Sequence, residues 1–192
     1  MRRLAALLSI LSLASPAAAQ RLPAPRLGIA VTSGFPMSEV IPTVGAGGSG
    51  FVTLAQGATG GLLALRLGGM ATWFDVSPAV CVFQPCDTRQ VHRLVSAGPE
   101  LLAGGWRGDR LLAYTVAGVG GYEATWRGDV IDAAGVAQPV GRGPRGLTAS
   151  VGSGIVTTFG PLHLRTEMRF HWLHHVKSRS ARFWSIEVGP VR

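Results

Sequence analysis

Beyond its N-terminus, this chain contains no long hydrophobic run. No later stretch approaches the ~20 consecutive apolar residues that a membrane-spanning helix needs. Charged residues are also scarce, at 15% of the chain against the usual ~25%, and runs of like charge are absent. The lack of a concentrated basic patch disfavours nucleic-acid binding. The sequence therefore indicates either a soluble domain or a β-barrel that crosses a membrane.

Cysteine is nearly absent as well, and the two cysteines of the chain, Cys81 and Cys86, lie close together. A zinc site needs four ligands, and no second pair stands at metal-binding spacing. In an exported chain such a pair is expected to form a local disulfide. Free thiols and a metal site remain the alternatives.

Cofactor motifs are missing too. The glycine-rich segment Gly45–Gly50 lacks the Gly-Lys-Ser/Thr ending of a phosphate-binding loop. His163 and His171 would lie about 26 Å apart along a strand, so they cannot share an ion. We therefore expect neither a cofactor nor a bound metal.

The N-terminus has the three parts of a secretory signal peptide. Basic residues at Arg2 and Arg3 precede the apolar segment Leu4–Leu13, and Ala14–Ala19 offers a small-residue cleavage site. We predict that residues 1–19 are removed and that residues 20–192 form one domain. Loss of the two arginines lowers the formal net charge from +8 to about +6.

The segment Leu162–Trp172 alternates strictly between apolar or threonine residues and charged residues or histidine. A period of two is typical of a β-strand, whose side chains point alternately to its two faces. Seven other segments resemble strands, several of them interrupted by glycine. The eight predicted strands are residues 26–35, 45–56, 60–74, 91–104, 109–123, 146–159, 161–173 and 181–191.

The connections between these strands alternate between long and short. The long ones are Pro36–Val44, Asp75–Gln90, Ala124–Arg145 and His174–Ser180. In an up-and-down meander, all long loops then lie at one end, and the short turns lie at the other end with both termini. Membrane β-barrels with an even number of strands have this form.

Large aromatic residues fall near the predicted strand ends, where a membrane barrel carries its aromatic girdles. Tryptophan prefers the boundary between membrane and water, because its ring contacts both phases. The predicted girdle residues are Trp73, Trp106, Trp126, Phe159, Trp172 and Trp184.

In this order and spacing, the segments Arg26–Val31, Gly47–Val52, Ala117–Tyr122 and Arg165–His171 resemble the small eight-stranded outer-membrane barrels of the OmpA/OmpX type. The resemblance covers the whole mature chain. It implies an all-β, eight-stranded, antiparallel transmembrane barrel in a bacterial outer membrane. It also implies a monomer whose partners are outer-membrane lipid, lipopolysaccharide and, during insertion, the barrel-assembly machinery.

A barrel in lipid turns its apolar faces outward and its polar faces into the lumen. We therefore predict a lumen network of paired charges, because an unpaired buried charge costs several kcal/mol. Its predicted members are Arg66, Arg165, Glu167, Arg169 and Glu187. The weak alternation of the fourth and fifth strands leaves the orientation of Glu100 and Glu123 open. An eight-stranded barrel filled in this way has no wide pore.

The expected function is a structural or surface-interaction role without catalysis. Basic residues near the long loops could contact lipopolysaccharide phosphates, namely Arg142, Arg145, Lys177, Arg179 and Arg182. One alternative is a soluble lipocalin-like carrier with an apolar interior. Another is a lipid A acyl hydrolase using His175, Ser178 and Glu167, although these residues depart from the spacing of the known enzymes.

Overall fold

The computed structural model describes residues 25–37, 41, 43–57, 62–75, 86–108, 110–138, 143–176 and 179–192. All regular structure in these ranges is β-strand. No helix in this part of the chain is long and apolar enough to span a membrane. The predicted signal peptide lies outside the described residues.

The described chain forms eleven strands. They are β1 Leu27–Pro36, β2 Gly45–Gln56, β3 Leu62–Phe74, β4 Cys86–Asp87, β5 Gln90–Arg107, β6 Leu111–Arg127, β7 Val130–Ile131, β8 Ala137–Gln138, β9 Arg145–Phe159, β10 Leu162–Val176 and β11 Arg179–Val191. Eight of them form a closed barrel in the order β1-β11-β10-β9-β6-β5-β3-β2. Every pair is antiparallel, and β1 closes the barrel against β11. The predicted eight-stranded up-and-down barrel is confirmed.

The faces of the barrel follow from the alternation along each strand. In β10, Arg165, Glu167 and Arg169 are buried, whereas Met168 and Trp172 are each 47% exposed. All eight barrel strands turn apolar side chains outward in this way. These exposed residues are Leu27, Ile29, Val31, Phe35, Val52, Leu54, Leu63, Leu65, Leu67, Trp73, Leu101, Val119, Leu147, Val151, Ile155, Phe159, Leu162, Met168, Trp172, Ile186 and Val188. The outer wall is therefore largely apolar.

The two ends of the barrel differ, as the alternation of long and short connections predicts. Strands β4, β7 and β8 extend the second and third long connections into a three-stranded sheet. The prediction of a fourth long connection at His174–Ser180 is wrong. Strands β10 and β11 continue to pair past a bulge as far as Val176 opposite Arg179, so only residues 177–178 separate them.

The lumen is arranged in three layers. Apolar side chains fill the end near the long loops and the end near the short turns. We call these groups the loop-end cluster, made of Ile41, Met70, Phe74, Val91, Leu94, Tyr122, Ala124, Leu173, Val176, Ala181 and Phe183, and the turn-end cluster, made of Phe51, Leu62, Ala64, Leu102, Leu112, Tyr114, Val116, Val156 and Val191. Buried charges occupy the layer between them, as Arg66 does on β3 between Ala64 and Met70.

Candidate functional site

Six charged side chains form the middle layer of the lumen. We call them the lumen network: Arg66 on β3, Glu100 on β5, Arg165, Glu167 and Arg169 on β10, and Glu187 on β11. Three arginines face three glutamates, so the formal charge of the network is zero. Each side chain is at least nine-tenths buried. Buried charges of this kind must be paired, because the desolvation of each ion costs several kcal/mol.

Glu167 lies at the centre of the lumen network. The Nη2 atom of Arg66 donates to both of its carboxylate oxygens, at 2.8 and 3.1 Å. Arg169 also donates to Glu167, and Arg165 approaches it at 3.5 Å. The hydroxyl of Tyr114 donates to the same carboxylate. Four donors from β3, β6 and β10 therefore satisfy one buried carboxylate.

The other two carboxylates connect the arginines across the lumen. Glu100 lies directly opposite Arg66 in the β3–β5 ladder, and it accepts hydrogen bonds from Arg66 and Arg169. Glu187 pairs with Arg165 at 2.9 Å and approaches Arg169 at 3.4 Å. Each arginine therefore contacts two or three carboxylates, and the network joins four strands across the barrel.

Aromatic and glycine residues shape the space around these charges. The guanidinium carbons of Arg66 and Arg165 lie 4.5 and 4.8 Å from the ring centroid of Phe51, which gives both cations a π face. A Cβ atom at Gly68 would lie 2.4 Å from the Glu100 carboxylate, and one at Gly154 would lie 2.6 Å from the Tyr114 ring. A larger residue at either position would displace the Glu100 carboxylate or the Tyr114 ring from its place in the lumen.

A second polar pair lies beside the network. The Nε2 atom of His171 is 2.7 Å from the hydroxyl of Ser185, and both residues are buried. The imidazole stacks on Phe183 of the loop-end cluster at a centroid distance of 4.5 Å. An adjoining cavity lined partly by Glu100, Arg169 and His171 has about 30 Å³, the space of about one water molecule. The layer is therefore tightly filled.

The structure brings together all five residues predicted for the lumen and adds Glu100. The alternation along the fourth predicted strand left the orientation of Glu100 open, although its pairing opposite Arg66 indicates that it points into the lumen. Glu123 points outward instead, where it pairs with the predicted lipid contact Arg145 at 2.8 Å. The hydroxyl of Ser49 on β2 also donates to Glu187. Ser49, Phe51 and Tyr114 were missed because single polar or aromatic residues on glycine-rich strands carry no charge pattern.

The predicted aromatic girdle is partly wrong. Trp73, Phe159 and Trp172 are exposed on the outer wall, and Trp184 contacts the outward Phe170 at 5.2 Å. Trp126 instead packs against the loop-end cluster and Trp106 against the turn-end cluster.

The physical reason is strand parity at the two ends of the barrel. Trp106 shares the inward face of β5 with Leu102, and Trp126 shares the inward face of β6 with Ala124. Both rings therefore cover an end of the lumen. Phe35, opposite Trp184 in the β1–β11 ladder, is an outward aromatic that sequence analysis missed.

Arginines accompany the outward tryptophans near the long loops. Arg93 lies over Trp73 at 5.7 Å, and the predicted lipid contact Arg182 lies over Trp172 at 5.1 Å. Each arginine is the cross-strand partner of its tryptophan. Of the other predicted lipid contacts, Arg142 and Lys177 lie outside the described residues, and only the backbone of Arg179 is described.

The remaining predicted sites fall mostly outside the described residues. Cys86 begins β4, but Cys81 is not described, so the disulfide stays a prediction. Ser178 and the side chain of His175 are likewise not described. The third candidate catalytic residue, Glu167, is held in the lumen network by its arginine partners. In the described part of the chain, no group of three or more metal-ligating side chains comes together.

Comparison with solved structures gives similar barrels at low sequence identity. The crystal structure of Neisserial surface protein A (NspA) matches with a TM-score of 0.54 and 13% identity, covering 86% of this chain and 92% of that chain. The structure of Ail, the attachment invasion locus protein of Yersinia pestis, matches with a TM-score of 0.47 and 8% identity, covering 86% and 96%.

The likeness to NspA shows a shared fold. At this level, the predicted resemblance to small eight-stranded outer-membrane barrels is confirmed. No family model matches the chain, and no curated protein matches it either.

Proposed function

We propose that this protein is a bacterial outer-membrane β-barrel with a sealed, ion-paired lumen and a structural or surface-interaction role. The observation that carries the proposal is the inverted distribution of polarity. The barrel wall exposes apolar side chains on every side, while Arg66, Arg165 and Glu167 are each 1% exposed or less. Soluble monomers rarely expose contiguous apolar patches above a few hundred Å². Lipid, in contrast, is a favourable surrounding for such a wall.

The same distribution disfavours a lipocalin-like carrier. A carrier of an apolar ligand needs an apolar interior with room for that ligand. Here the middle of the lumen is ionic, and apolar side chains of the two clusters fill both ends. The cavity beside the network holds about 30 Å³, far below the ~300 Å³ of a small-molecule site.

The filled lumen also favours a role without solute transport or catalysis. One layer of paired arginines and glutamates spans the barrel between two apolar clusters, so the described part of the lumen shows no continuous polar path from end to end. Glu167, the acid of the hydrolase alternative, has its carboxylate bound by Arg66, Arg169 and Tyr114. It is therefore not available to orient a histidine at the barrel rim.

The long-loop end supports contact with lipopolysaccharide. Arg145 and Arg182 point outward at this end, and arginine binds phosphate in bidentate fashion. We expect that replacing both with alanine weakens lipopolysaccharide retention, measured on protein purified from membranes. Arg107→Ala, at an exposed position near a short turn, is the matched control. Equal retention by all three proteins would contradict this contact.

Membrane fractionation combined with gel migration tests the proposed function. We expect the protein in the outer-membrane fraction, and we expect unboiled protein to migrate differently from boiled protein, because a barrel stays folded in detergent. Recovery as a soluble periplasmic monomer would support the carrier instead. Release of acyl chains from lipid A, abolished by Ser178→Ala, would support the hydrolase.

A further inference from the structure

The outer wall contains an apolar groove near the long-loop end. It crosses strands β5, β6, β9 and β10, and its walls include Pro99, Val119, Leu147 and Trp172. Its volume is about 570 Å³, within the ~300–1,000 Å³ of small-molecule sites. Because it opens outward, any occupant comes from the surroundings of the barrel rather than from the lumen.

Gly121 borders the groove next to two residues that line it, Val119 on the same face of β6 and its cross-strand partner Leu147. This residue lies on the outward face of β6, between Ala97 of β5 and Leu147 of β9 in the strand ladders. A Cβ atom at Gly121 would meet no heavy atom closer than the Gly146 carbonyl oxygen at 4.0 Å. The missing side chain therefore leaves open space on the surface that the barrel itself does not fill.

Charged groups border the groove on two sides, toward the long loops and at β11 beside Trp172. Glu123 and Arg145 are cross-strand partners two residues beyond Gly121 and Leu147, a distance of about 7 Å along the strands. Both side chains of this 2.8 Å ion pair are more than half exposed. Arg182 lies over the ring of Trp172, which forms one wall. Two arginines against one glutamate give the border a net positive charge, which is complementary to phosphate.

We propose that this groove binds one acyl chain of lipopolysaccharide, with the lipid A phosphate held by Arg145 and Arg182. The inference rests on the proposed membrane location. It makes the proposed contact with lipopolysaccharide more specific by assigning it to one site on the outer wall. The apolar groove excludes water from the upper part of the chain, and the arginines lie where the headgroup of that chain emerges. Trp172 contributes to both the acyl-chain site and the phosphate site, because its ring lines the groove and Arg182 lies over that ring.

Gly121→Leu tests the groove, because a leucine at this outward position, beside the lining residues Val119 and Leu147, would cover the edge of the groove while its Cβ meets no heavy atom closer than 4.0 Å. Gly48→Leu is the matched control: Gly48 is an outward glycine on β2, three strands away, whose Cβ would have its nearest atom at 3.6 Å. Purified lipopolysaccharide is added to each protein in detergent, and the bound fraction is measured by native mass spectrometry. We expect about tenfold weaker binding for Gly121→Leu, equivalent to about two methylenes losing their contacts. We expect no change for Gly48→Leu.

A second comparison tests the phosphate contact. Arg145→Gln should weaken binding of intact lipopolysaccharide but leave binding of enzymatically dephosphorylated lipopolysaccharide unchanged. Phosphatidylglycerol serves as the competing lipid. The inference is overturned if Gly121→Leu binds lipopolysaccharide as the wild type does, or if the groove retains phosphatidylglycerol equally well.

The folded state of each variant is monitored by heat-dependent gel migration. Loss of that behaviour in the wild-type protein would contradict the proposed function itself. Normal migration with unchanged binding in Gly121→Leu would contradict the groove alone.

Discussion

Single charged residues in the lumen have a large effect on the stability of the fold, because each buried charge depends on its partners. Removing one member of a buried ion pair typically costs about 3–5 kcal/mol, since the remaining charge stays desolvated. Glu167 contacts all three arginines of the lumen network, so its loss leaves more than one cation without its main partner. An exposed pair such as Glu123–Arg145 contributes only about 0–1 kcal/mol.

We predict that Glu167→Gln lowers the free energy of unfolding by about 3–5 kcal/mol. The measurement is urea-induced unfolding in detergent or lipid vesicles, followed by the loss of the fast-migrating form on unboiled gels. Glu123→Gln is the control with the same chemical change on the outer wall, and it should cost about 1 kcal/mol or less. Similar losses in the two variants would show that the lumen network is not buried and coupled as described.

Residue-level prediction from the sequence worked where the alternation is strong. Arg165, Glu167 and Arg169 lie on a strand whose outward positions are nearly all large and apolar, so its two faces differ clearly. Glu100 follows Ser96-Ala97-Gly98-Pro99, whose small side chains favour neither face, and its orientation was left open. Trp106 and Trp126 were assigned to the girdle, but tryptophan suits both a girdle and an apolar cluster, and both rings pack against the inner clusters.

At the level of elements, β10 has two faces whose environments we expect to be opposite. Met168 lies near the middle of this strand and points outward, whereas Leu162 points outward at its turn end. In a membrane barrel, an arginine on the lipid face costs about 2–4 kcal/mol at the midplane and about 0–1 kcal/mol near the interface.

We therefore predict that Met168→Arg destabilises the folded barrel by about 2–4 kcal/mol, while Leu162→Arg changes its stability by about 1 kcal/mol or less. Refolding into lipid vesicles with urea titration measures both. If the wall faces water, arginine is tolerated at both positions, and equal small effects would contradict a lipid-facing β10.

The strand end at Gly160, which adopts positive φ, was predicted correctly, because the predicted strand and β9 both end at residue 159. At Gly108, which also adopts positive φ, the strand predicted to end at residue 104 continues to Arg107. The connection after β10 was not predicted correctly either. Its polar residues read as a loop, but the ladder to β11 continues after the irregularity between Leu173 and Val176. Where a strand ends is decided by backbone pairing with its neighbour. The polarity of the segment gives no information on that pairing.

For the whole molecule, the central feature is the layering of the lumen inside an apolar wall. The loop-end and turn-end clusters enclose the ionic layer on both sides, and the barrel has no open edge strand because β1 pairs with β11. The sequence predicted the number and order of strands because the rhythm of connections fixes a meander. The apolar clusters at the ends were not predicted, since inward Phe74, Leu94 and Leu112 look like outward residues until the register is known.

Site-directed spin labelling of β9 tests the central claim most directly. Single cysteines at Ala149, Val151 and Ser153, all outward in β9, are labelled in a Cys81→Ser, Cys86→Ser background and reconstituted in vesicles. Ala134, exposed between β7 and β8, is the control for water contact. We predict that the three β9 labels collide frequently with oxygen, which concentrates in lipid, and rarely with a water-soluble nickel complex, with the opposite pattern at Ala134. Frequent collision of the β9 labels with the nickel complex would contradict a barrel whose apolar wall lies in the membrane.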